Sequence, residues 1–276
     1  MGSILGLLFV LPFVEGNIYG LKIPFIQGGG SVASFVPTAA LFFVFALPIL
    51  IFVKDPPARL KLRQMKLNII QSFKKVLEGL TNTRKYPGVT RFLIAKYFYE
   101  DAIQTIIIFM AVYAQKVMGF SKPETTTFFI AVIPSAIVGS ALFGIITDHI
   151  GPKKTLMIVL WGWIINLILL IITMEIWIFW VIGCITGIFL GSTWTSARPL
   201  LISLVPKEML GEFFGLYSFS GKLAAIAGPL VWAFVVEIFE SHGTVFKYKA
   251  AVGSLVVFIV IGMIILRKVP DFNKHK

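Results

Sequence analysis

The sequence contains little that would support a disulfide framework, a metal centre or an enzyme active site. Its 276 residues include one cysteine, Cys184, and three scattered histidines, so no intrachain disulfide and no metal cluster is expected. No nucleophile–base pair or metal-ligand spacing is visible, and we therefore predict no cofactor, no metal and no enzymatic activity. A signal peptide is also disfavoured, because residues 1–14 lack a basic n-region and a small-residue cleavage site.

Charge is scarce as well. Only 14% of the residues are charged, whereas 57% are hydrophobic and the mean hydropathy is +0.89, which is far from the composition of soluble proteins. Acidic residues are the scarcer sign, with 13 against 25 basic residues and a net charge of +12. The cations collect between the apolar runs and at the C-terminus, so they indicate the topology of an integral membrane protein and no nucleic-acid partner.

Long apolar runs are what the sequence has in abundance. Residues 1–14 are too short to cross a bilayer, reaching about 21 Å of a core about 30 Å thick, and fit the end of a helix cut at its N-terminal side. Glycine and proline between residues 15 and 30 predict an irregular outer loop. Seven membrane-spanning helices are predicted at residues 32–53, 92–114, 125–148, 155–173, 177–201, 211–236 and 250–266.

The one long polar segment, residues 54–91, is dense in lysine and arginine and is therefore predicted to be cytosolic. Apolar residues recur at helical spacing between residues 69 and 80, which predicts an amphipathic helix on the inner membrane face, with a calmodulin-type target as the alternative. Alternation along the chain then places residues 148–154, 206–212 and the tail 267–276 in the cytosol, so we expect a multi-pass protein of the plasma or inner membrane.

A short polar turn, Gly-Ile-Ile-Thr-Asp-His-Ile-Gly-Pro-Lys-Lys-Thr-Leu, joins two of these spans at residues 144–156. Asp148 lies at a helix C-terminus, where the helix dipole disfavours an anion, so it should have a partner elsewhere. The pattern resembles the loop signature of the major facilitator superfamily of secondary transporters, and an ordinary helical hairpin is the alternative. The resemblance implies a gating loop formed by Gly144, Asp148, Gly151, Lys153 and Lys154.

Polar residues within the spans are the best candidates for function, because an intramembrane charge is costly. On the helix predicted at residues 92–114, one arc carries a polar stripe, which we expect to be wet, with apolar side chains opposite. Lys96 is spaced to pair with Glu100 four residues on, whereas Asp101 has no such local cation. The stripe consists of Tyr97, Glu100, Asp101, Gln104 and Thr105.

Lys222 is a second intramembrane charge, on the helix predicted at residues 211–236. Lys222 and Asp101 both lie about 15 to 17 Å deep, counted at 1.5 Å per residue from the cytosolic edge. We hypothesise that the two interact directly or through substrate or water, and that protonation of Asp101 couples transport to a proton gradient. A static structural ion pair is the alternative.

The helix predicted at residues 177–201 combines a packing feature with a cation. Gly183, Gly187 and Gly191 repeat every fourth residue, which favours close approach of another helix. Arg198 follows one turn after Trp194, so its guanidinium is expected against the indole, and Pro199 is expected to disturb the helix at Arg198. Arg198 near the inner boundary is predicted to snorkel or to anchor an inner gate, with an anionic substrate group as the alternative ligand.

Further stretches carry a narrower resemblance, to the vacuole-effluxer-like branch of the superfamily, which comprises fungal autophagy-related vacuolar amino-acid exporters and bacterial relatives. They read Tyr-Phe-Tyr-Glu-Asp-Ala-Ile-Gln-Thr at 97–105, Leu-Val-Pro-Lys-Glu at 204–208, Gly-Glu-Phe-Phe-Gly-Leu-Tyr-Ser-Phe-Ser-Gly-Lys at 211–222 and Gly-Pro at 228–229. The resemblance covers nearly the whole chain. It implies that Tyr97, Asp101, Gln104, Thr105 and Thr193 face substrate.

The branch also implies an architecture of twelve helices in two six-helix halves. This chain would supply the end of the N-terminal half (1–53), the cytosolic central loop (54–91), the six-helix C-terminal half (92–266) and a cytosolic tail (267–276). We therefore expect an all-α membrane bundle that moves a small solute such as an amino acid, and that works with a missing N-terminal half. The rival expectation is a non-transporting membrane sensor or assembly partner.

Overall fold

The computed structural model describes residues 17–18, 21–22, 30–52 and 86–271. The chain divides between Ile70 and Gln71 into two compact units. The partial helix predicted at residues 1–14 and the amphipathic helix predicted at 69–80 lie outside the described residues, as do half of the predicted tail and most of the predicted cytosolic loop.

The described residues of the first unit include a long apolar helix. Strands β1, Asn17–Ile18, and β2, Leu21–Lys22, pair antiparallel where an irregular loop was predicted. A 3₁₀ turn, Gly30–Ser34, then leads into helix α1, Phe35–Phe52. The 18 residues of α1 extend about 27 Å, and Pro48 lies inside the helix without ending it, as membrane helices tolerate.

In the second unit, residues 86–271 form a bundle of six long helices, which confirms the predicted half-bundle. Its helices are α2, Pro87–Lys116; α3, Lys122–Ile150; α4, Pro152–Ile172; α5, Ile176–Leu204; α6, Leu210–Ile238; and α7, Thr244–Arg267. Among the described residues, α3 to α7 are long and apolar enough to cross a membrane. Helix α2 has 30 residues and carries the charges discussed below.

Local signals explain where these helices begin and end. Helix α3 starts at a capping box, in which the Ser121 hydroxyl accepts the Glu124 amide and the Glu124 carboxylate accepts the Ser121 amide at 2.8 Å. The turn between α3 and α4 is a single residue, Gly151, whose φ of 90° is readily available only to glycine. The expected disturbance at Pro199 is wrong, because α5 stays helical through it to Leu204; neighbouring groups in a membrane bundle can compensate for the missing amide hydrogen bond.

The helices pack as two equivalent groups of three. Helix α2 packs against α6 and α7, and α5 packs in the same way against α3 and α4, while α4 and α7 join the groups. Exchanging α2 with α5, α3 with α6 and α4 with α7 reproduces the same set of neighbours. Because two spans lie between equivalent helices, the members of each pair run in opposite directions, which is the inverted repeat found within each half of facilitator-type transporters.

Candidate functional site

The polar stripe of α2 is enclosed by the bundle and is not an open wet face as predicted. Asp101 and Thr105 are both fully buried, and only Tyr97 and Gln104 keep part of their surface exposed. The stripe is buried because helix α6 covers it with a face of small residues. The sequence did not indicate that this face meets the stripe. That face consists of Gly221, Ala224 and Gly228.

Glycines on α6 bring its backbone directly against the polar groups of α2. A Cβ atom added at Gly221 would lie 2.8 Å from the Lys96 Nζ. At Gly228 it would lie 2.0 Å from the Thr105 Oγ1 and 2.9 Å from the Asp101 Oδ1. These separations are too short for real Cβ contacts, so any larger residue on this face would push α6 away from α2.

Helix α7 covers the opposite side of α2. A Cβ atom at Gly262 would lie 2.9 Å from the Ala95 carbonyl oxygen and 3.0 Å from the Tyr99 amide nitrogen. Tyr99, predicted on the apolar side, is fully buried there, and its hydroxyl has no hydrogen-bond partner among the described residues. Helix α2 is therefore held from both sides.

Lys96 and Glu100 form the ion pair predicted from their spacing, with Lys96 Nζ 2.8 Å from Glu100 Oε2. The ammonium of Lys96 also lies over the ring of Tyr217, 4.1 Å from its centroid. A carboxylate on one side and an aromatic face on the other are the groups that stabilise a buried ammonium. Tyr217 was not predicted for this role; the signal for it was its position one turn before Gly221, on the face that meets α2.

Asp101 makes no ion pair in the part of the chain that the structure describes. Both of its carboxylate oxygens are buried without a hydrogen-bond partner among the described residues, and the Thr105 hydroxyl is directed to the Asp101 backbone carbonyl at 2.7 Å. An ionised carboxylate removed from water without a donor or a cation is energetically costly. Of the two acidic residues on this part of α2, Asp101 is therefore the one that no ammonium group neutralises among the described residues.

Lys222 does not supply that ammonium group, and the predicted direct pair with Asp101 is wrong. Its side chain is exposed, and it makes no ion pair with Asp101 in the part of the chain that the structure describes. The face of α6 that meets α2 passes through Gly221 and Gly228. Lys222 is turned about 100° from Gly221 around the helix and lies about 9 Å along the axis from Gly228. Asp101 and Lys222 lie at similar depth, but Lys222 is not on the face of α6 that meets α2.

Helix α5 meets α3 through the predicted glycine repeat, which confirms close packing there. A Cβ atom at Gly191 would lie 2.0 Å from the Ala136 carbonyl oxygen, and one at Gly187 2.5 Å from that of Val132. Hydroxyl groups supplement the contact, as in the 2.7 Å hydrogen bond between Ser140 and Thr195. This pair of helices is the counterpart of α2 and α6 in the repeat.

The two other predicted residues of α5 lie in different environments. Thr193 is buried, accepts a hydrogen bond from the Trp163 indole at 3.0 Å and donates one to the Phe189 carbonyl at 2.7 Å, so within this half it faces α4. Arg198 is exposed, and no cation–π contact with Trp194 is present in the described part of the chain. Trp163 was missed because its partner lies on a different helix.

The predicted gating loop is a compact turn at one end of the bundle. Gly144 is half-buried, and a Cβ atom there would touch the Thr195 methyl group at 3.6 Å. Lys153 donates a hydrogen bond to the Arg267 carbonyl at 3.1 Å, which ties the turn to the last residue of α7. Asp148 and Lys154 are exposed on the same turn.

Comparisons with known proteins agree with this architecture. The family model described as "Vacuole effluxer Atg22 like" matches residues 31–275. The uncharacterized MFS-type transporter YxiO of Bacillus subtilis is 29% identical over 252 residues, covering 90% of this chain and 56% of that protein. Autophagy-related protein 22 of Candida glabrata is 28% identical over 171 residues, covering 58% of this chain and 32% of that protein.

A solved structure shows the same fold at low sequence identity. It is a bacterial homolog of the human lysosomal transporter Spinster, in an inward-facing and unoccupied conformation, with a TM-score of 0.59 and 12% identity. The match covers 97% of this chain and 65% of that one. The chain thus spans about half the length of the curated relatives it matches, such as the 56% for the Bacillus protein.

Proposed function

The chain belongs to the Atg22-like vacuole effluxer family, and we propose that it forms the C-terminal half of a major-facilitator-type secondary transporter for a small solute. Amino acids or related metabolites are the proposed solutes, and the N-terminal half is supplied by a separate chain, by a longer gene product or by a second copy. The long loop and the C-terminus are proposed to be cytosolic, because the cations concentrate there.

The carboxylate of Asp101, buried with no cation beside it among the described residues, is the observation that carries this proposal. On the same helix, Lys96 and Glu100 neutralise each other, so this pair offers Asp101 no spare cation. One negative charge is left over between α2 and α6 whenever Asp101 is ionised. We propose that a proton cancels it in the closed packing and leaves when α6 moves away and water enters.

The solute is proposed to approach this carboxylate through the part of α2 that remains accessible. Tyr97 and Gln104 lie on the same helix as Asp101 and are half-buried, so they can contact a ligand without unfolding the bundle. Thr105 and Thr193 become available only if α6 or α4 shifts, because each is now fully covered. Lys222, exposed on α6, is proposed to act through solute or water.

Gating is proposed at the turn between α3 and α4. The hydrogen bond from Lys153 to the Arg267 carbonyl connects this turn to α7, a helix that packs against α2. Rocking of the two halves about a midplane site, as in alternating access, would break or remake such end contacts. Arg198, exposed on α5, is the proposed inner-gate cation.

Flux measurements in proteoliposomes test the proposal. The chain joined with an N-terminal half should accumulate labelled amino acids in response to a pH gradient, and Asp101→Asn should abolish the response to the gradient. Lys222→Gln should reduce flux, whereas Glu212→Gln, at an exposed position on α6, should not. Flux and pH dependence that stay at the unsubstituted level in both Asp101→Asn and Lys222→Gln would remove the proposed coupling.

The competing function is a non-transporting sensor or assembly partner built from the same helices. The unpaired Asp101 between two transmembrane helices favours transport, because a static scaffold gains nothing from an uncompensated carboxyl group. A complete absence of flux for every solute tested with both halves present would favour the sensor.

A further inference from the structure

A groove of about 730 Å³ lies where the turn between α3 and α4 approaches the end of α7. Among the described residues that line it, His149, Lys153 and Lys154 are basic and Asp271 is acidic. Ile150, Met157 and Ile158 supply the apolar part of the wall. The groove is therefore basic at the turn and apolar toward the bundle.

The basic end is arranged to attract an anion. Helix α4 begins at Pro152, directly before the two lysines, so the positive end of its dipole lies at this end of the groove. Lys153 uses one donor on the Arg267 carbonyl, which holds its ammonium at the groove and leaves two further donors. Lys154 is exposed and commits no hydrogen bond to the described residues.

The apolar end continues as a stripe along α4. From Ile158 the exposed side chains recur on one helical face, at Trp161, Ile165, Leu169 and Ile172. This stripe runs for about 21 Å, which exceeds the thickness of one leaflet of a bilayer core about 30 Å thick. Trp161 lies one turn below the groove, at the level where tryptophans concentrate in membrane interfaces.

We propose that this groove and stripe bind an anionic phospholipid, with its phosphate at Lys153 and Lys154 and an acyl chain along Ile158, Trp161 and Ile165. Basic pockets at the cytosolic ends of transmembrane helices recognise anionic headgroups in this way. A zwitterionic lipid should bind less tightly, because its own cationic group is repelled by the lysines. A soluble phosphate gains nothing from the stripe. The lipid would brace the turn against α7, at the contact proposed above as a gate.

Lipid titration of the purified chain in neutral detergent, followed by native mass spectrometry, tests this inference. Phosphatidylglycerol and phosphatidylcholine with identical acyl chains are compared, and glycerol 3-phosphate serves as the headgroup alone. We expect phosphatidylglycerol to bind more tightly than phosphatidylcholine and glycerol 3-phosphate to compete poorly. Lys154→Gln should weaken phosphatidylglycerol binding about fivefold, the loss expected for one cation near an anionic surface.

Matched variants decide whether the groove itself is responsible. Lys207→Gln removes an exposed lysine outside the groove and should leave binding unchanged, while Lys154→Arg should retain it. Ile165→Ser should weaken phosphatidylglycerol binding without affecting the binding of glycerol 3-phosphate. Equal binding of the two lipids, an equal loss in Lys207→Gln, or full competition by glycerol 3-phosphate would each overturn the proposal.

Discussion

Two pairs of helices occupy equivalent places in the repeat but differ in chemistry. Between α3 and α5, glycines meet backbone carbonyls, and hydroxyl groups such as Ser140 and Thr195 bond to each other. Between α2 and α6, glycines again permit contact, but they meet an ammonium, a carboxylate and a hydroxyl. We call these two helix interfaces seams. The seam between α3 and α5 is neutral and hydrogen-bonded, and the seam between α2 and α6 is charged.

The difference separates a structural interface from a candidate working one. A neutral seam keeps its free energy whatever the pH or solute, so it suits a fixed contact. A charged seam with an unpartnered carboxyl group changes its free energy when a proton arrives or leaves. We infer that α2 and α6 move relative to each other, and that the contact between α3 and α5 stays fixed.

Breaking the ion pair between α2 and α6 should have the largest effect on stability. Lys96→Met leaves the Glu100 carboxylate buried without its cation, and we expect a loss of about 3–5 kcal/mol in the free energy of unfolding. The double variant Lys96→Met with Glu100→Gln should recover most of it, because no uncompensated charge remains. Unfolding in mixed micelles, followed by tryptophan fluorescence, measures both.

A partly exposed ion pair provides the control for that experiment. Lys247 pairs with Glu240, whose side chain is 62% exposed. Lys247→Met should therefore cost no more than about 1 kcal/mol. Equal losses at Lys96 and Lys247 would show that burial between α2 and α6 carries no special energetic weight.

Glycine substitutions should have effects of intermediate size on stability, and they should distinguish the two seams. Gly191→Ala and Gly228→Ala should each cost about 1–3 kcal/mol by overpacking. The Gly228 clash is chiefly with the Thr105 hydroxyl at 2.0 Å, so Thr105→Ala should partly rescue it. The Gly191 clash is with the backbone carbonyl of Ala136, which no side-chain truncation can relieve.

Gly215→Ala is the matched control for both, because a Cβ atom there meets nothing within 4 Å. It should leave the melting temperature unchanged or raise it, since alanine is favoured over glycine in a helix by up to about 1 kcal/mol. If Thr105→Ala fails to rescue Gly228→Ala, the contact between α2 and α6 is not the one described.

Removing one hydroxyl from the neutral seam should have the smallest effect. Ser140→Ala deletes the hydrogen bond to Thr195, and we expect a loss of about 0.6 kcal/mol, typical of such bonds between membrane helices. Ser218→Ala, at an exposed position on α6, should have no measurable effect under the same conditions. A loss at Ser140 as large as that at Lys96 would erase the distinction between the seams.

The spans and the local contacts could be predicted from sequence because they depend on neighbouring residues. Apolar runs placed all six helices of the bundle, and the four-residue spacing of Lys96 and Glu100 gave their ion pair. The repeat at Gly183, Gly187 and Gly191 likewise predicted the approach of a second helix. Each of these features lies within one helix and follows from the spacing of residues along it.

Contacts between helices could not be read in the same way, because depth along a helix does not fix its rotation. Asp101 and Lys222 are at similar depth, yet Gly228 and not Lys222 meets the carboxyl group. Trp163 was likewise invisible as the partner of Thr193. Between α2 and α6 the glycines decide which face approaches, and the neighbouring position Lys222 is turned away by about 100° around the helix.

The protonation state of Asp101 in the closed bundle is the central claim. Infrared spectroscopy of the purified chain near neutral pH measures it directly, through the carbonyl stretch of a protonated carboxyl group. We predict a protonated-carboxyl band that disappears in Asp101→Asn and persists in Glu100→Gln. A spectrum without that band, or a band unchanged by Asp101→Asn, would contradict the account.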